Sequence, residues 1–484
     1  MSRCVRAALI VWAVVFSVVV SGACATNPVT GKKQLSLVSE SQEIAMGQEA
    51  DKEVAAAYGL YPDDGLQQYI QSLGTRIAAK TERPNLPWTF RVVDDAAVNA
   101  FATPGGFVYV TRGIMTYLNS EAELATILGH EIGHVTARHA VSQMSQQQLT
   151  QIGLVAGSVL SSQVAQFAGL AQTGLGLLFL KFSRSDESQS DQLGLRYMMA
   201  AGYDPREIVD VFRMLEGVSQ QEGGGRLPQW LSSHPNPENR EAWATRAVAS
   251  VDRDLSGLAV NREGYLRRLD GMVFGENPRE GFFEGSLFRH PDMAFQMSFP
   301  SGWKQSNQKQ AVGAVSPNED AIVVLRLANA PSAQQAARQF LSQQGVQAGQ
   351  AWRDRIGGYR AASYAFQAQE EQTVIQGLAA FVEYGGRVFQ ILGYTPQQRW
   401  SSYQRAIGQS IESFARETDS AVLGVQPQRL SLVQVNRPAT LDALVRQYPS
   451  TVSPQLVGLI NDLQGTGMLQ AGDIFKRVVG GRPR

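Results

Sequence analysis

The sequence contains the stretch Leu124-Ala125-Thr126-Ile127-Leu128-Gly129-His130-Glu131-Ile132-Gly133-His134, whose spacing predicts a helix. Residues four apart lie one above the other on a helix, so the imidazoles of His130 and His134 can both reach one ion. Glu131 lies about 100° further round the helix axis. Two neutral nitrogens suit a zinc ion, and the carboxylate is placed to take a proton from water at that ion.

Local signals predict the N-terminus and the buried face of this helix. Ser120 followed by Glu123 predicts a capping box at the N-terminus. An apolar stripe at helical spacing predicts that the face beside both histidines is buried; it comprises Leu124, Ile127, Leu128, Ile132 and Val135. The whole chain has only five histidines, which argues against a chance pairing of two around a glutamate.

Length and composition limit the architectures and functions to be considered. At 484 residues the chain is too long for one hydrophobic core, so we expect about two to four domains. The 43 basic residues balance the 43 acidic ones, and a chain without net charge gives no reason to expect a nucleic-acid partner. A hydrophobic content of 44% is that of a globular protein.

The N-terminal residues 1–25 resemble an export signal. A basic start and a short apolar run are followed by Ser21-Gly22-Ala23-Cys24. Small residues before a cysteine resemble a bacterial lipobox, which predicts a lipidated Cys24 and a periplasmic protein anchored to the outer membrane. Residues 26–40 are then a tether. Ordinary signal-peptidase cleavage after Ala23-Cys24-Ala25 is the alternative.

Two short strands are predicted before the histidine-bearing helix, at Trp88–Val93 and Gly106–Thr111. They are connected through Asn99-Ala100-Phe101-Ala102 and a turn at Pro104-Gly105. The free edge of a strand beside a metal-binding helix can hold an extended peptide by main-chain hydrogen bonds. The strands can equally serve only to pack the back of the helix, and the sequence leaves both interpretations open.

A second motif follows at Phe182-Ser183-Arg184-Ser185-Asp186-Glu187-Ser188-Gln189-Ser190-Asp191. Ser185 is the predicted N-cap of a helix that runs to Gly202. Two histidines leave a catalytic zinc without its usual third protein ligand, which Glu187 can supply. Asp191, one turn further, can accept the free N–H of a ligand histidine and fix its tautomer. The alternative is that both are solvated acids stabilised by the helix dipole.

These motifs together resemble the zinc metalloprotease family that includes HtpX, the CAAX prenyl endopeptidases and BepA. The resemblance covers residues 40–250 and is carried by His130-Glu131-Ile132-Gly133-His134, by Ser183 to Asp191, and by Asn99-Ala100-Phe101-Ala102-Thr103-Pro104-Gly105-Gly106. It implies that zinc is bound by His130, His134 and Glu187. It also implies that Glu131 is the general base.

The family carries a His-Pro loop after the third ligand, matched here by Ser232-Ser233-His234-Pro235-Asn236-Pro237-Glu238-Asn239-Arg240. The resemblance implies that His234 reaches the zinc as a fourth ligand of a resting state. Alternatively, His234 moves and donates a hydrogen bond to the oxyanion of the reaction. An unrelated loop histidine is the remaining interpretation. Arg240 is a candidate anchor of the loop.

The remainder of the chain changes character. Residues 261–420 contain strand and helix patterns that predict an α+β accessory domain, which resembles the PsbP and Mog1-like sandwiches. Residues 421–484 predict a strand, two helices and a strand, an order that resembles a LysM module, usually a peptidoglycan binder. Arg437-Pro438-Ala439 replaces the common glycine-acid turn, and a simple packing module is the alternative.

The predicted fold class is therefore α+β. A mainly helical zinc metalloprotease domain with a small β-sheet, at residues 41–260, is followed by the sandwich-like domain and the LysM-like module. The predicted function is that of a zinc metalloendopeptidase of the bacterial cell envelope, with one Zn²⁺ per chain and with unfolded or misassembled envelope proteins as substrates.

Further predicted contacts are the membrane, through Cys24, and peptidoglycan, through residues 428–479. A periplasmic chaperone or cell-wall scaffold with a latent zinc site is the alternative from another functional class. A zinc hydrolase that acts on non-peptide substrates agrees with the same ligand chemistry.

Overall fold

The structure is a computed structural model that describes residues 24–155, 181–221, 230, 232, 234, 239–370, 373–463 and 467–481. Residues 1–23 of the predicted export signal lie outside these ranges. The described chain forms two compact units. Unit 1 comprises the described residues up to Gly275 together with Arg429–Val479, and unit 2 comprises Glu276–Gln428 with the residues from Gly480.

Unit 1 is mainly helical and contains small sheets. Its helices before the boundary with unit 2 are α1 (Glu40–Tyr58), α2 (Asp64–Ala78), α3 (Arg112–Tyr117), α4 (Glu121–Thr136), α5 (His139–Val155), α6 (Arg184–Ala200), α7 (Glu207–Gln221), α8 (Arg240–Ala249) and α9 (Arg262–Leu266). Its strands in this part are β1 (Cys24–Thr26), β2 (Lys33–Leu35), β3 (Thr89–Val93), β4 (Ala100–Thr103) and β5 (Phe107–Thr111). Among the described residues, no helix combines the length and the apolar character needed to cross a membrane.

Unit 2 has an α+β fold built on a large antiparallel sheet. Its strands are β6 (Phe282–Glu284), β7 (Leu287–His290), β8 (Phe295–Ser298), β9 (Lys304–Asn307), β10 (Ala311–Val315), β11 (Ile322–Ala328), β12 (Val346–Ala351), β13 (Arg355–Ile356), β14 (Tyr359–Glu370), β15 (Thr373–Tyr384), β16 (Arg387–Pro396) and β17 (Ala415–Arg416). Its helices are α10 (Ala333–Leu341), α11 (Trp400–Glu412) and α12 (Ser420–Leu423). The large sheet has the order β12-β14-β15-β16-β11-β10-β9, and a small sheet has the order β17-β8-β7-β6.

The C-terminal part of unit 1 has a strand, two helices and a strand as its main elements. They are β18 (Gln428–Gln434), β19 (Ala439–Thr440), α13 (Leu441–Gln447), α14 (Pro454–Ile460), β20 (Met468–Leu469) and β21 (Ile474–Gly480). Strand β18 pairs with β21, and β19 pairs with β20. Leu430, Leu459 and Val478 belong to the main hydrophobic core of unit 1. The segment predicted as a separate module therefore packs as part of unit 1.

A buried lysine links this C-terminal part to the rest of unit 1 by hydrogen bonds. The side chain of Lys476 is fully buried, and its Nζ donates to the backbone carbonyls of Thr116 (3.0 Å), Tyr117 (3.3 Å) and Leu118 (2.8 Å). These carbonyls lie at the C-terminal end of α3. Burial lowers the pKa of Lys476 well below its usual value. The lysine thus satisfies carbonyl groups that the helix itself leaves without partners.

Three strands form the sheet beside the histidine-bearing helix α4. The order is β3-β5-β4, with β5 parallel to β3 and antiparallel to β4. The two predicted strands are confirmed, whereas Asn99–Ala102, predicted as a connection, mostly belongs to β4. The chain can reverse between β4 and β5 because Gly105 (φ 83°) and Gly106 (φ 100°) adopt left-handed conformations that favour glycine.

Two glutamine side chains close the outer edge of β3. Gln67 and Gln71 lie one turn apart on α2. Gln67 accepts from the backbone N–H of Val92 (3.0 Å) and donates to the carbonyl of the same residue (2.8 Å). Gln71 accepts from Phe90 (2.9 Å) and donates to the carbonyl of Trp88 (3.0 Å). These amides take the place of a neighbouring strand. In the described chain β4 pairs only with β5, so the outer edge of β4 is the sheet edge that is not paired with another strand.

Helix α4 carries the two histidines of the opening motif and is buried along its whole length, from Glu121 to Thr136. Ser120 is the N-cap, as predicted, and accepts from the backbone N–H of Glu123 (3.0 Å). The Glu123 carboxylate, however, accepts from the N–H of Asn119 (2.6 Å) and not from that of Ser120. The predicted capping box is therefore only half formed, while the predicted burial extends around the helix.

Helices α4 and α6 approach each other closely because small residues line their contact. A methyl group added to Gly129 would lie 2.9 Å from the carbonyl oxygen of Gly194. One added to Gly133 would lie 3.2 Å from the backbone of Ser190. Contacts this short are tighter than packed carbon atoms adopt, so the two backbones can meet only where side chains are absent or very small.

Helix α6 starts two residues earlier than predicted. Its N-cap is Ser183, which accepts from the backbone N–H of Asp186, while the Asp186 carboxylate accepts from the N–H of Ser183. This reciprocal pair satisfies two of the N–H groups that a helix leaves free at its start. The prediction of Ser185 as N-cap is therefore wrong, because Ser185 already lies within the first turn.

Residues predicted as a tether fold against the end of α4. Strands β1 and β2 pair as a hairpin. The side-chain amide of Asn27, which is 8% exposed, donates to the carbonyl of Ala137 (3.1 Å) just after α4. The backbone N–H of Leu37 donates to the hydroxyl of Ser145 on α5 (3.0 Å). The segment is thus hydrogen-bonded to the rest of unit 1 near its start, at Asn27, and near its end, at Leu37.

The glycine contact can be tested by substituting Gly194. A methyl group there would lie 2.9 Å from the backbone nitrogen of His130, so we expect Gly194→Ala to destabilise unit 1 by about 1–3 kcal/mol despite the higher helix propensity of alanine. Urea denaturation measures the change. Gly257→Ala is the matched control, since nothing lies within 4 Å of a methyl group at that position. If Gly194→Ala were as stable as the control, α4 and α6 could move apart without loss of stability.

Candidate metal centre

Four buried side chains converge where α4 crosses α6. His130 and His134 come from α4, and Glu187 comes from the first turn of α6. His234 lies between α7 and α8 in the sequence. Candidate ligand atoms of all four residues lie within 4.8 Å of one another, and each residue is at most 4% exposed. The structure therefore brings together the three predicted zinc ligands and the predicted fourth.

The distances between these atoms suit a tetrahedral zinc ion. The Nε2 atoms of His130 and His134 are 3.1 Å apart, and the Glu187 carboxylate oxygens lie 3.5 Å and 3.4 Å from them, respectively. The Nδ1 of His234 lies 3.3 Å from His130 Nε2 and 3.0 Å from Glu187 Oε1. Ligand atoms about 2.0–2.1 Å from zinc in a tetrahedron are about 3.3 Å from one another.

The electrostatics of the cluster favour a positive charge at its centre. Burial raises the pKa of Glu187, but His234, His130 and His134 outweigh it and hold that pKa well below its usual range. Burial lowers the pKa of His134 well below its usual value, so this histidine is neutral. Burial also lowers the pKa of His130, but Asp191 and Glu187 outweigh burial and raise it to about 9, so a metal has to displace a proton from this ring. A carboxylate and imidazole nitrogens that face each other are the donor set that divalent zinc prefers.

Asp191 and Arg240 contact the first predicted ligand, His130. The Nδ1 of His130 lies 2.9 Å from Asp191 Oδ1, so His130 donates this N–H to the carboxylate and turns its Nε2 towards the cluster. Arg240 donates through Nε to Asp191 Oδ2 (2.9 Å) and through Nη2 to the other carboxylate oxygen. Burial raises the pKa of Asp191, but Arg240 and His130 outweigh burial and lower it. The carboxylate is therefore ionised and paired.

Arg240 is itself enclosed by aromatic rings. Its guanidinium carbon lies 4.8 Å from the ring centre of Phe212 and 4.6 Å from that of Trp230. It starts α8 directly after Asn239, whose side chain caps that helix. These contacts hold the guanidinium by cation–π attraction. The predicted loop anchor thus lies beneath the predicted ligands and contacts them through Asp191 and directly at Glu187 Oε2 (3.4 Å).

Glu131 lies beside the cluster with its carboxylate 1% exposed. Its Oε1 accepts from the indole N–H of Trp230 (3.3 Å) and lies 3.6 Å from Nε2 of His234. Trp230 also stacks on the His234 ring, with 4.9 Å between ring centres. The predicted base therefore faces the predicted fourth ligand, and one tryptophan contacts both.

The sequence patterns assign no role to Trp230 and His139, which both border the site. His139 places its Nδ1 3.0 Å from the Nδ1 of His134. Its position five residues after His134 is a signal that could have found it, because three of the five histidines fall within one short stretch. No spacing in the sequence points to Trp230.

The structure also describes the surroundings of two predicted acidic residues and of a histidine outside the site. Glu187 and Asp191 are 0% and 3% exposed, which excludes the interpretation as solvated first-turn acids. The side chain of Cys24 lies outside the described residues. His290, which lies outside this site, is buried in unit 2, where its Nδ1 accepts from the backbone N–H of Met293 (3.2 Å).

Removal of the Arg240 charge should destabilise unit 1. We expect Arg240→Met to destabilise unit 1 by about 3–5 kcal/mol in urea denaturation, because it leaves the Asp191 carboxylate buried without its cation. Combining it with Asp191→Asn should recover much of the loss. Arg267→Met, in a surface pair with Glu263, is the control and should stay within about 0.5 kcal/mol of wild type. Equal stability of Arg240→Met and this control would contradict the assigned support role.

Comparisons with known proteins agree with this geometry. Residues 65–247 match the model of peptidase family M48. The chain is 34% identical over 222 residues to the beta-barrel assembly-enhancing protease of Yersinia pestis, covering 44% of this chain and 45% of the relative. It is 31% identical over 239 residues to the mitochondrial metalloendopeptidase OMA1 of Schizosaccharomyces pombe, covering 47% of this chain and 68% of the relative.

A solved structure, that of cyanobacterial PsbP from Synechocystis, aligns at 18% identity with a TM-score of 0.23 and covers 28% of this chain and 94% of its own. The match to the bacterial protease spans less than half of that relative's length, whereas two thirds of the yeast relative is covered. The matched family region contains every candidate ligand on α4 and α6 as well as His234 and Arg240. This chain therefore belongs to peptidase family M48.

Proposed function

We propose that this protein is a zinc-dependent metalloendopeptidase. The observation that carries the proposal is the buried set of His130, His134 and Glu187 with the carboxylate of Glu131 beside it. Three protein ligands of this kind define catalytic zinc sites, and a neighbouring carboxylate is the group that hydrolysis requires. We assign the ligand role to the first three residues and the general-base role to the fourth.

Zinc, when bound, polarises a peptide carbonyl and lowers the pKa of water towards about 7. Glu131 accepts a proton from the attacking water and passes it to the leaving nitrogen. Asp191 holds His130 in the tautomer that leaves Nε2 free, and Arg240 holds Asp191. The edge of β4 offers main-chain hydrogen bonds to a substrate in extended conformation.

His234 has two roles that fit its position. Its Nδ1 lies 3.0 Å from Glu187, so it can complete a closed, four-donor site in a resting protein. After moving away, it can donate to the oxyanion that forms as the peptide carbonyl is attacked. Arg240, six residues after His234, anchors the start of α8 through its contact with Asp191.

A second candidate function is supported by the same closed geometry. Four protein donors are typical of structural zinc sites, and a latent site fits a periplasmic chaperone or cell-wall scaffold. The buried carboxylate of Glu131 favours the peptidase, because a structural zinc ion needs no base and an unused buried acid would be unfavourable.

The substrates that we propose are unfolded or misassembled proteins of the bacterial cell envelope. Support comes from the export signal predicted from the sequence and from relatives that are named beta-barrel assembly-enhancing proteases. We further propose that Cys24 is lipidated and anchors the protein to the outer membrane from the periplasmic side. The intact mass of the mature N-terminus tests the lipid, since a mass without acyl chains would exclude it.

Peptidoglycan is the partner that we propose for residues 428–479. The support is the order of strand, two helices and strand, although the segment also contributes to the core of unit 1. Co-sedimentation of the purified protein with sacculi tests this contact, and a protein that stays in the supernatant would leave the segment as a packing element.

The proposed mechanism predicts the outcome of one set of substitutions. The full-length mature protein is incubated with casein as an unfolded substrate, and bound zinc is measured on each variant. We expect Glu131→Gln to keep its zinc and to lose at least about 100-fold in cleavage rate, because it removes the proton acceptor alone. Faster cleavage by His234→Ala would identify His234 as the closing ligand, whereas slower cleavage would identify it as the donor to the oxyanion.

Glu123→Gln is the matched control on the same helix. The amide oxygen of the new side chain can still accept from Asn119, so the variant should retain wild-type activity. Cleavage by Glu131→Gln at the wild-type rate would refute the general-base assignment. Absence of cleavage by every zinc-loaded form would favour the chaperone or scaffold.

A further inference from the structure

His139, the first residue of α5, connects a ligand histidine to the helix that carries the third ligand. Its side chain is 3% exposed. On one side its Nδ1 lies 3.0 Å from Nδ1 of His134, and on the other its Nε2 lies 2.8 Å from Oε1 of Gln189 on α6. The ring thus forms a bridge from α4 to α6 that runs behind the metal ligands.

The contact between the two Nδ1 atoms allows only one distribution of protons. His134 turns its Nε2 towards the cluster, where this nitrogen must present a lone pair to bind a metal. A neutral imidazole has one N–H, so the proton of His134 is on Nδ1 and is donated to His139. His139 therefore accepts at Nδ1 and carries its own proton on Nε2, where the amide oxygen of Gln189 accepts it.

We propose that His139 is a positioning residue that accepts the Nδ1–H of His134 and so holds the other nitrogen of that ligand ready for the metal. This inference rests on the zinc site of the proposed function but not on peptide hydrolysis. Asp191 has the equivalent place behind His130. One ligand is thus held by a carboxylate paired with Arg240, and the other by a ring paired with an amide.

Two further polar groups surround His139 and agree with this assignment. Asp186 Oδ1 lies 3.7 Å from Nε2, on the side where the ring carries its proton. The Ser190 hydroxyl lies 3.4 Å from Nδ1, the side on which the ring accepts. Both distances are longer than those to His134 and Gln189, which therefore set the orientation of the ring.

Leucine and asparagine at position 139 separate the acceptor from the shape of the side chain. The two residues share the same branching and nearly the same size, so His139→Leu and His139→Asn leave similar space where the ring was. Only asparagine offers an oxygen near the position of Nδ1. Zinc affinity of the full-length protein is measured by competition with a chelator, and the stability of the metal-free protein is measured by urea denaturation.

We expect His139→Leu to bind zinc about 10–100-fold more weakly than wild type, as is typical when the partner of a ligand is removed. His139→Asn should bind several-fold more tightly than the leucine variant. Equal zinc affinities of the two variants would overturn the proposal, because the acceptor would then have no effect. Metal-free stability serves to show that both variants are folded.

Gln189 provides a test that leaves His139 in place, in case the histidine variants do not fold. Gln189→Met removes the acceptor of the Nε2 proton and should weaken zinc binding, whereas Gln189→Glu keeps an acceptor oxygen and should not. Wild-type zinc affinity of Gln189→Met would contradict the bridge.

Matched controls come from the buried histidine of unit 2. The Nδ1 of His290 also accepts a hydrogen bond, so His290→Leu and His290→Asn make the same chemical changes away from the ligands. Both should keep wild-type zinc affinity. Because zinc affinity is the readout, a protein that binds zinc but cleaves no peptide would refute the proposed function and leave this inference standing.

Discussion

The close contact between α4 and α6 is the constraint on which the candidate metal site depends. One helix supplies two histidines and a glutamate, and the other supplies a carboxylate that must come within ligand distance of both histidines. The backbones can approach this far only because Gly129, Gly133 and Gly194 have no side chains to hold them apart. Gly133, directly before His134, thus has a packing function that the metal-binding pattern alone does not explain.

The second helix also orients both ligand rings. Asp191 holds His130 directly, and Gln189 holds His134 through His139. The affinity for a metal therefore depends on how α6 packs against α4. A metal ion that binds only the folded chain will stabilise this crossing in return, by an amount that grows with the logarithm of its concentration divided by its dissociation constant.

Periodicity and spacing were sufficient to predict the parts of the site that are local in the sequence. The i, i+4 pairs on α4 and α6 follow from helix spacing, and the α+β character of residues 261–420 follows from alternating and helical patterns. The contacts of Trp230 and His139 could not be predicted in this way, because they depend on how distant segments pack. Strand β4 was missed for a related reason, since its pairing depends on the two left-handed glycines that follow it.

The fold of unit 1 is interrupted in the sequence by the whole of unit 2. The ligands, the base and their supports all precede Gly275, yet Leu430, Leu459 and Val478 complete the core, and Lys476 closes the end of α3. During synthesis, the ribosome therefore releases the predicted ligands and base well before the residues that complete the core around them. A chain that ends inside unit 2 carries these reactive side chains without Leu430, Leu459 and Val478, and thus without a complete core.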